Sequence, residues 1–448
     1  MVKTINDYKF KENDNVTLKG WIFSVRKQAD KTFIQIMDGS TSKMIQGIIT
    51  TEKIKDISLS KGTSIEVIGI IKIFREKPEL HIETLNILGE CNSEEFPISK
   101  NKLGLDFLRK HEHLRIRTHT IQSVMRVRHT LSMAIHQFFD KQGYFNIHTP
   151  LLSSNDCEGA GETFTITSQN PFKKREDGKP SVIYANKELF KKPVFLTVSG
   201  QLHGESYATA MNKIYTFGPT FRAEKSDTNR HLSEFWMVEP EVSFINQSEL
   251  HLLAQDLIKF CLLKVLTDRK DDLQILSRND KTLVSRLETY SKGTYPQVSY
   301  DEAIKLLNKK FEEKVEWGID LTSEHEKYLA EEVFKSPVIC YNYPAKIKSF
   351  YMKPNLDNKT VQSMDLLVPG IGELIGGSMR EDNYDNLKMK LEEKNITNLE
   401  WYLDLRKFGS VPHGGFGLGF ERLVQFCTGM KHIRDVIPYP RYYKHCNA

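Results

Sequence analysis

Residues 220–240 concentrate side chains that could bind a nucleotide. Arg222, Arg230 and His231 can donate fork-shaped or protonatable hydrogen bonds to phosphate. Phe235 offers an aromatic face on which a purine could stack. Three carboxylates of the same stretch can accept hydrogen bonds from amines: Glu224, Glu234 and Glu239. A surface hairpin with scattered charges would account for any two of these residues, but their combination predicts a nucleotide-binding segment.

The elements that carry these side chains follow from the apolar residues on either side of them. Residues 221–224 open the segment, a polar and charged stretch follows, and apolar character returns at residues 235–238. This pattern predicts two antiparallel strands joined by a loop. The loop is longer than the tight turns that usually close a hairpin, so its length calls for a functional reason.

Further candidate residues lie in predicted strands and glycine-rich turns toward the C-terminus. Antiparallel strands are predicted over residues 338–344, 349–352 and 361–368. Residues 415–419 alternate glycine with apolar residues just before a predicted helix. Alternating glycines let a strand approach a flat ligand closely, and a helix N-terminus favours anions. The polar candidates in and beside these elements are Asp365, Glu373, Arg380 and Arg422.

Composition sets the broad class of the protein. The chain has 448 residues, 39% of them hydrophobic and 27% charged, so we expect two or three domains with a large core. We see neither an apolar run long enough to cross a membrane nor the apolar core of a signal peptide. The six cysteines are dispersed without a CxxC pair, as is typical of reduced thiols. We therefore expect a cytoplasmic protein, and its net charge of +5 permits an RNA partner without requiring one.

The N-terminal residues from about 15 to 90 predict a small barrel of the OB type. Short β-patterned runs, closed by Gly and Asp turns, give about five strands. If Ile34 and Ile36 point into the core, Phe33 and Gln35 point outward together. An exposed Phe beside Arg26 is suited to stacking on single-stranded RNA. The alternative is a shifted register that buries Phe33.

The middle of the chain connects the barrel to the nucleotide segment. Residues 96–119 are dense in cations and could be either solvated surface or a contact for phosphate backbone. An amphipathic helix is predicted from Thr120 to Gly143, followed by an extended segment to Pro150. A glycine-rich loop at residues 156–162 lacks the spacing of dinucleotide-binding and P-loop motifs.

Three signatures in this order resemble the class II aminoacyl-tRNA synthetases of the aspartyl/asparaginyl/lysyl subgroup. They are the helix and strand ending at Pro150, the Phe221-Arg-Ala-Glu224 hairpin, and the Gly-x-Gly-x-Gly-Phe-Glu-Arg422 stretch. The resemblance covers nearly the whole chain and implies an α+β multidomain fold. Its parts would be an OB-type anticodon domain (1–95), a basic linker (96–119) and a catalytic domain with an antiparallel sheet flanked by helices (120–448). Insertions would lie around residues 170–193 and 250–335.

The resemblance also implies roles for individual residues. Arg222 would contact the α-phosphate of ATP and the substrate carboxylate, and Phe235 would stack on adenine with Arg422 on its other face. Glu234 would accept a hydrogen bond from the adenine amine. The implied ATP-binding residues are Arg222, Glu224, Arg230, His231, Glu234, Phe235, Glu373, Gly419 and Arg422, with Arg222 and Arg422 as the catalytic pair. The implied amino-acid-binding residues are Glu158, Ser199, Gln201, Arg222, Glu239 and Arg380.

Metal, RNA and partner contacts are implied in the same way. Asp365 and Glu373 would coordinate Mg²⁺, a cation that prefers carboxylate and phosphate oxygens. The anticodon of tRNA(Asn) would contact Arg26, Phe33 and Gln46. The helix ending near residue 143 and the strand that follows it would form a homodimer interface.

The substrate expected from the resemblance is asparagine. In the aspartyl relatives a lysine that neutralises the substrate carboxylate stands where this chain has Gly204, and an anion, Glu205, follows. Arg380 could donate to a side-chain carbonyl and Glu239 could accept from an amide, a pairing that suits asparagine and penalises aspartate. Three alternatives remain: an aspartyl or non-discriminating enzyme, a tRNA-binding paralogue without catalysis, and an asparagine-forming ligase. The last is disfavoured by the barrel, and the paralogue by retention of the motif arginines and metal carboxylates.

Overall fold

The computed structural model describes residues 3–99, 103–154, 162–170, 187–278 and 280–447. The chain forms two compact units, residues 1–126 and 127–448. Within the described residues, no helix combines the length and the apolar character that crossing a bilayer requires.

The first unit contains a closed five-stranded barrel in the order β1-β2-β3-β5-β4. Neighbouring strands are antiparallel except for the parallel pair β3–β5. The strands are β1 (Asn15–Lys27), β2 (Lys31–Met37), β3 (Ile45–Thr50), β4 (Ser64–Phe74) and β5 (Lys77–Gly89). The predicted OB-type barrel is therefore confirmed.

The barrel pleat follows from residue alternation along its strands. Ile34 and Ile36 are fully buried, whereas Phe33 and Gln35, which alternate with them along β2, are partly exposed. The outward orientation of Phe33 is thus confirmed, and the shifted register is excluded. The continuous strand β1 passes through Gly20, where a Cβ would lie only 2.5 Å from the carbonyl oxygen of Met37.

Two short helices and the start of a long one follow the barrel. They are α1 (Leu105–Arg109), α2 (Glu112–Arg115) and α3 (His119–Lys141). Arg115, one of the cations of the predicted basic linker, is 1% exposed. A buried guanidinium cannot contact an RNA backbone, so the cationic composition of this stretch overstates its accessible charge. Helix α3 ends as predicted near Gly143, which adopts the left-handed φ of +76°.

The second unit is built on an eight-stranded sheet in the order β12-β13-β14-β15-β16-β11-β10-β6. The inner strands from β13 to β10 pair antiparallel, but the outermost pairs, β12–β13 and β10–β6, are parallel. The sheet is therefore mixed, while its central portion is antiparallel as predicted. A second sheet has the order β7-β9-β8. The strands are β6 (Phe145–Asn146), β7 (Leu152–Ser153), β8 (Thr165–Ile166), β9 (Val194–Leu196), β10 (Lys213–Phe221), β11 (Glu234–Ser243), β12 (Gln297–Ser299), β13 (Val338–Tyr341), β14 (Ser363–Val368), β15 (Gly372–Met379) and β16 (His413–Gly419).

Along the chain, the helices of this unit alternate with its strands. They are α4 (Gln201–Met211), α5 (Gln247–Asp268), α6 (Lys270–Leu276), α7 (Leu283–Lys292), α8 (Tyr300–Leu307), α9 (Ser323–Tyr328), α10 (Tyr384–Glu393), α11 (Glu400–Lys407) and α12 (Phe420–Thr428). Residues 349–352 are not the predicted strand. They form a turn with one isolated bridge, Met352 to Arg380, because the side chains of Phe350 and Tyr351 bury into a core with helices α10 and α11.

Candidate active site

The hairpin predicted from residues 220–240 is formed by β10 and β11. The two strands pair antiparallel up to Phe221 opposite Glu234. The loop between them is closed at its base by the amide of Arg222, which donates to the carbonyl of Ser233 at 3.0 Å. The hairpin prediction is confirmed, and the long loop begins at Arg222.

Most of the candidate nucleotide-binding residues line one cavity. It is bounded by Arg222, Glu224, Arg230, His231, Phe235, Glu373, Gly417, Gly419, Glu421 and Arg422, with Leu232, Met237, Leu374 and Ile433 as apolar members. The guanidinium carbon of Arg222 lies 5.5 Å from the centre of the Phe235 ring. An aromatic ring beside a cation, in a cavity that other arginines also line, is suited to hold a purine and its phosphates.

Arg422 lies at the start of helix α12 and faces the carboxylate of Glu373. Its Nη1 donates to Glu373 Oε2 at 3.1 Å and to the Glu373 carbonyl at 2.9 Å. The neighbouring Glu421 accepts from the amide of Trp236 at 2.9 Å and pairs with Arg128 at 2.7 Å. Glu421 therefore ties the start of α12 to β11, a positioning contact that the sequence did not reveal.

Arg230 and His231 line the cavity but are held by neighbouring polar groups. Arg230 donates to Ser323 Oγ and pairs with Glu326 at 3.3 Å, both on helix α9. The ring Nδ1 of His231 lies 2.8 Å from the hydroxyl of Thr228. Sequence reasoning missed Glu326 because its helix falls in a stretch that the resemblance treats as an insertion. Burial and the nearby Glu373 carboxylate raise the pKa of Glu326 to about 7.

Glu234 lines a different cavity from Phe235. This cavity shares Glu224 with the first one and is otherwise bounded by residues of the second sheet, the hairpin and the C-terminal segment: Phe164, Leu196, Phe221, Ala223, Ser233, Glu234 and residues 441–446. Glu234 therefore lies in the cavity next to the one that Phe235 lines, with Glu224 common to both.

The candidate amino-acid residues line a third cavity, which shares Arg222 and Glu373 with the nucleotide cavity. Ser199, Gln201, Arg222, Glu239 and Arg380 meet here as the resemblance implies. Residues not anticipated from the sequence complete the polar lining: Glu241, Asp320, Lys348 and Tyr351. Glu158 lies outside the described residues.

Glu239 is held by three donors from two elements. Its carboxylate accepts from the hydroxyl of Ser199, from the amide of Gly200 at 2.9 Å and from the hydroxyl of Thr216 at 3.1 Å. These bonds orient the carboxylate at the wall of the cavity. The orientation depends on β10 and on the turn before helix α4.

Arg380 is paired with Glu241, which lies in β11 together with Glu239. Its Nε donates to Glu241 Oε2 at 3.1 Å and its Nη2 donates to Glu241 Oε1, while Nη1 donates to Ser378 at 2.9 Å. Burial raises the pKa of Glu241, and the Arg380 guanidinium, which donates to both of its oxygens, opposes the rise. Glu241 stands two residues after Glu239, so the period of a strand could have placed both on one face.

Glu205 is completely buried and is not a bare anion beside Gly204. Its carboxylate accepts from Arg406 at 2.6 Å and from Tyr402 at 2.7 Å, and it lies 3.0 Å from His413 Nε2. Burial alone would raise the pKa of Glu205, but the Arg406 guanidinium and the bond to His413 hold it well below its usual range. The anion that follows Gly204 in the sequence is therefore paired inside the protein and does not line the amino-acid cavity.

Asp365 and Glu373 stand close to one another on adjacent strands. A Cβ on Gly376 would lie 2.8 Å from Glu373 Oε1 and 3.4 Å from Asp365 Oδ1, so both carboxylates lie over this glycine. Lys348 Nζ lies 3.1 Å from Asp365 Oδ2. Burial and the Glu373 charge raise the pKa of Asp365, while Lys348 opposes the rise.

The geometry at Asp365 and Glu373 bears on the expected metal. The described residues contain no group of three or more His, Cys, Asp or Glu side chains arranged to bind a metal ion. Mg²⁺ is commonly bound through one or two carboxylates and substrate phosphates, with water completing its shell. Glu373 lines both the nucleotide and the amino-acid cavities, and Asp365 lies beside it in the amino-acid cavity, so the two neighbouring carboxylates fit this requirement.

The candidate RNA-binding residues of the first unit share the outer face of β1, β2 and β3. The Arg26 guanidinium carbon lies 4.7 Å from the centre of the Phe33 ring. Gln35 donates to Gln46 at 3.1 Å, and Gln46 donates to Glu79 at 2.7 Å. A stacked cation, an aromatic ring and an oriented amide pair form a surface suited to an unstacked base.

Comparison with known proteins agrees with this architecture. Residues 105–443 match the family described as tRNA synthetases class II (D, K and N), and residues 16–88 match an OB-fold nucleic acid binding domain. The chain belongs to this class II tRNA synthetase family and is a ligase. The full-length relatives include asparagine–tRNA ligases. That of Borreliella burgdorferi is 47% identical over 443 residues, covering 96% of both chains. That of Vibrio vulnificus is 46% identical and covers 100% of this chain and 99% of the relative.

Solved structures of asparaginyl-tRNA synthetases are also similar to this chain. The asparaginyl-tRNA synthetase of Pyrococcus horikoshii complexed with asparaginyl-adenylate superposes with a TM-score of 0.85 at 33% identity, covering 98% of this chain and 97% of that one. The Entamoeba histolytica asparaginyl-tRNA synthetase with asparaginyl-adenylate also gives 0.85, at 27% identity and full coverage of both chains. An aspartyl-tRNA synthetase of Entamoeba histolytica, at 20% identity and a TM-score of 0.80, shares the fold.

Proposed function

We propose that this protein ligates asparagine to tRNA(Asn) in two steps. In the first, an oxygen of the asparagine carboxylate attacks the α-phosphorus of ATP, the bond to the bridging oxygen breaks, and pyrophosphate leaves. In the second, a hydroxyl of the tRNA 3′-terminal adenosine attacks the asparaginyl carbonyl carbon, and AMP leaves. A carboxylate nucleophile needs no base in the first step, so positioning and charge neutralisation carry that reaction.

The nucleotide cavity supports the first step. Arg222 lines both this cavity and the amino-acid cavity, so its guanidinium can bridge the α-phosphate and the attacking carboxylate. Phe235 would stack on adenine with Arg422 on the other face, and Gly419 leaves room beside it. Arg230 and His231 would hold the terminal phosphates, with Glu224 and Glu234 as acceptors near the adenine and ribose.

Asp365 and Glu373 are the residues that would hold Mg²⁺. The ion would neutralise charge on the phosphates of ATP. In this arrangement Arg422 keeps Glu373 oriented through its 3.1 Å ion pair. Lys348 would be a further cation at the same carboxylate cluster, because it pairs with Asp365.

The charge of the amino-acid cavity carries the choice of asparagine. Three buried carboxylates, Glu205, Glu239 and Glu241, surround two guanidiniums, Arg380 and Arg406. Within these five side chains the arginines do not outnumber the carboxylates. The other cations of the cavity, Arg222 and Lys348, are assigned to the substrate α-carboxylate and to Asp365. An asparagine amide can donate to Glu239 and accept from Arg380, whereas aspartate would bring a further negative charge into a low-dielectric site.

The remaining contacts of the reaction follow from the same assignment. Gln201 and Glu158 would hold the substrate ammonium, and Ser199 would be a further residue of the amino-acid site. Arg26, Phe33 and Gln46 would read the anticodon in the barrel. The chain would then consist of an anticodon domain over residues 1–95, a linker over 96–119 and a catalytic domain over 120–448. The protein would act in the cytoplasm, where the reaction partners tRNA and ATP are found.

A homodimer is proposed from the apolar surface that follows helix α3. Phe145, Leu151 and Leu152 are 54%, 41% and 47% exposed, respectively. Several exposed large apolar side chains within one short stretch of the chain favour an interaction site. A light-scattering mass of about twice 51.8 kDa would support the dimer, and a monomeric mass at micromolar concentration would contradict it.

Pyrophosphate exchange with each of the twenty amino acids tests the substrate assignment. We expect exchange with asparagine and at least about a hundredfold lower kcat/KM with aspartate. Aminoacylation of tRNA(Asn) and tRNA(Asp) transcripts completes the test. Equal exchange with both amino acids would replace this proposal with a non-discriminating enzyme, and exchange with aspartate alone would replace it with an aspartyl enzyme.

A further inference from the structure

A buried hydrogen-bond network surrounds Glu205 on helix α4. Arg406 and Tyr402 of helix α11 both donate to its carboxylate, at 2.6 Å and 2.7 Å. Gln201, one turn earlier on α4, donates at 3.1 Å, and His413 of β16 lies at 3.0 Å. These side chains give a single carboxylate an unusually large number of polar neighbours within the protein interior.

The network reaches the substrate cavity through Arg380. The Nε of Arg380 lies 3.9 Å from Glu205 Oε1, and the same guanidinium forms its two forked bonds with Glu241. Arg380 therefore faces one carboxylate from β11 and a second from α4. Glu205 itself is 0% exposed, so it acts on a bound substrate through the two cavity residues that it contacts, Arg380 and Gln201, and through the local electric field.

A carboxylate this deeply buried requires compensation. An isolated buried charge is strongly unfavourable unless ion pairs and hydrogen bonds compensate it. Arg406 supplies that compensation and is itself 4% exposed. The proposed reaction uses neither Glu205 nor Arg406 as a contact for the reacting atoms. A buried ion pair beside the selectivity arginine thus stands without a role in the chemistry.

We propose that Glu205 is a positioning residue that sets the enzyme's discrimination against aspartate by offsetting the charge of Arg380. This inference rests on the proposed function. With Glu205 ionised, Arg380 can donate a hydrogen bond to a neutral amide carbonyl but attracts a carboxylate only weakly. Removing the charge of Glu205 leaves Arg380 less compensated, which favours a negatively charged substrate side chain.

A purely structural role makes a different prediction. Glu205 joins α4 to α11 and β16, so its loss could loosen the cavity and weaken selectivity without any charge effect. Loosening would act in the same direction whichever partner of the ion pair is removed. Charge balance predicts opposite effects for the two partners, because Glu205 contributes a negative charge and Arg406 a positive one.

The test compares Glu205→Gln, Arg406→Gln and the double variant in pyrophosphate exchange with asparagine and with aspartate. For Glu205→Gln we expect the ratio of kcat/KM values, asparagine over aspartate, to fall by about tenfold or more. Arg406→Gln should leave the ratio equal or raise it. The double variant restores the wild-type net charge of positions 205 and 406, which is zero, and should recover most of the lost discrimination. Tyr402→Phe is the matched control, because it removes one donor to Glu205 without changing any charge.

The outcomes separate this inference from the proposed function. If the wild-type protein does not activate asparagine, the proposed function fails. If wild type activates asparagine but folded Glu205→Gln keeps the wild-type ratio, the inference fails and the function stands. A ratio for the double variant that stays as low as that of Glu205→Gln would also overturn the inference in favour of loosening. The double variant decides the question even if Glu205→Gln does not fold, because charge balance predicts a ratio near the wild-type value and loosening predicts a lower one.

Discussion

Arg422 and Glu373 form an ion pair at the boundary between the nucleotide and amino-acid cavities, with 3.1 Å between Nη1 and Oε2. Arg422 also donates to the Glu373 carbonyl at 2.9 Å, so both the side chain and the backbone of Glu373 are held. Glu373 in turn lies beside Asp365 over Gly376. A carboxylate oriented by a neighbouring arginine is pre-organised to bind a cation, which lowers the reorganisation needed when ATP arrives.

Arg222→Ala should abolish adenylate formation. Arg222 lines both the nucleotide and amino-acid cavities, and the positive charge that would stabilise the transferring phosphate is lost. We expect exchange with asparagine to fall by at least about a thousandfold, while tRNA binding in a filter assay changes little. Lys225→Ala, an exposed cation of the same loop, is the matched control and should retain near-wild-type exchange. Substantial pyrophosphate exchange by Arg222→Ala would contradict a catalytic role for Arg222.

Phe33→Ala should weaken tRNA use without affecting adenylate formation. The ring is the stacking surface of the barrel face, packed under Arg26. Loss of one base–aromatic stack is worth about 1–3 kcal/mol, so kcat/KM for tRNA should fall by roughly five- to a hundredfold. Pyrophosphate exchange should be unchanged. Phe74→Ala removes another exposed ring of the same barrel and serves as the control; an equal effect of both substitutions would argue against a specific role for Phe33.

The sequence was informative wherever a local pattern determines the structure. Alternation along β2 gave the outward position of Phe33, and the β10–β11 hairpin followed from its apolar flanks and polar loop. Motif spacing then grouped Arg222, Phe235 and Arg422 at one site. Each of these predictions depends on residues close together in the chain, or on a motif whose members occupy known elements.

Contacts between distant parts of the chain could not be inferred in the same way. Arg406 meets Glu205 across 201 positions, and Glu326 meets Arg230 across 96. Residues 349–352 have a strand-like pattern but form a turn, because tertiary packing of Phe350 and Tyr351 outweighs local propensity. Glycine spacing was also misleading in one respect. A Cβ on Gly415 would lie 2.3 Å from the Pro240 carbonyl oxygen, so backbone packing rather than a ligand requires glycine there.

Gly377→Ala should destabilise the catalytic unit. An added Cβ would lie 2.7 Å from the Gly415 carbonyl oxygen and 2.5 Å from the Phe416 Cβ, where neighbouring strand backbone has little room to move. We expect a loss of about 1–3 kcal/mol and a midpoint of thermal unfolding several degrees lower. Gly218→Ala is the control, because a Cβ there meets nothing within 4 Å. Equal stability of the two variants would show that the strands adjust to the extra methyl group.

Glu326→Gln should change how stability depends on pH. Burial and the Glu373 charge raise the folded-state pKa of Glu326 to about 7, above the ordinary value of 4.5. Between these values the folded protein binds more protons than the unfolded chain, so this group makes stability fall as pH rises.

The variant cannot lose that proton and should therefore gain stability relative to wild type as pH increases from about 5 to 8. The difference should be on the order of 3 kcal/mol in buffer without divalent cations. Denaturant unfolding across this pH range measures it. Ser323→Ala, which removes the other helix α9 contact of Arg230 but no titrating group, should shift stability by the same amount at every pH. A pH-independent difference for Glu326→Gln would show that the folded state does not hold this proton.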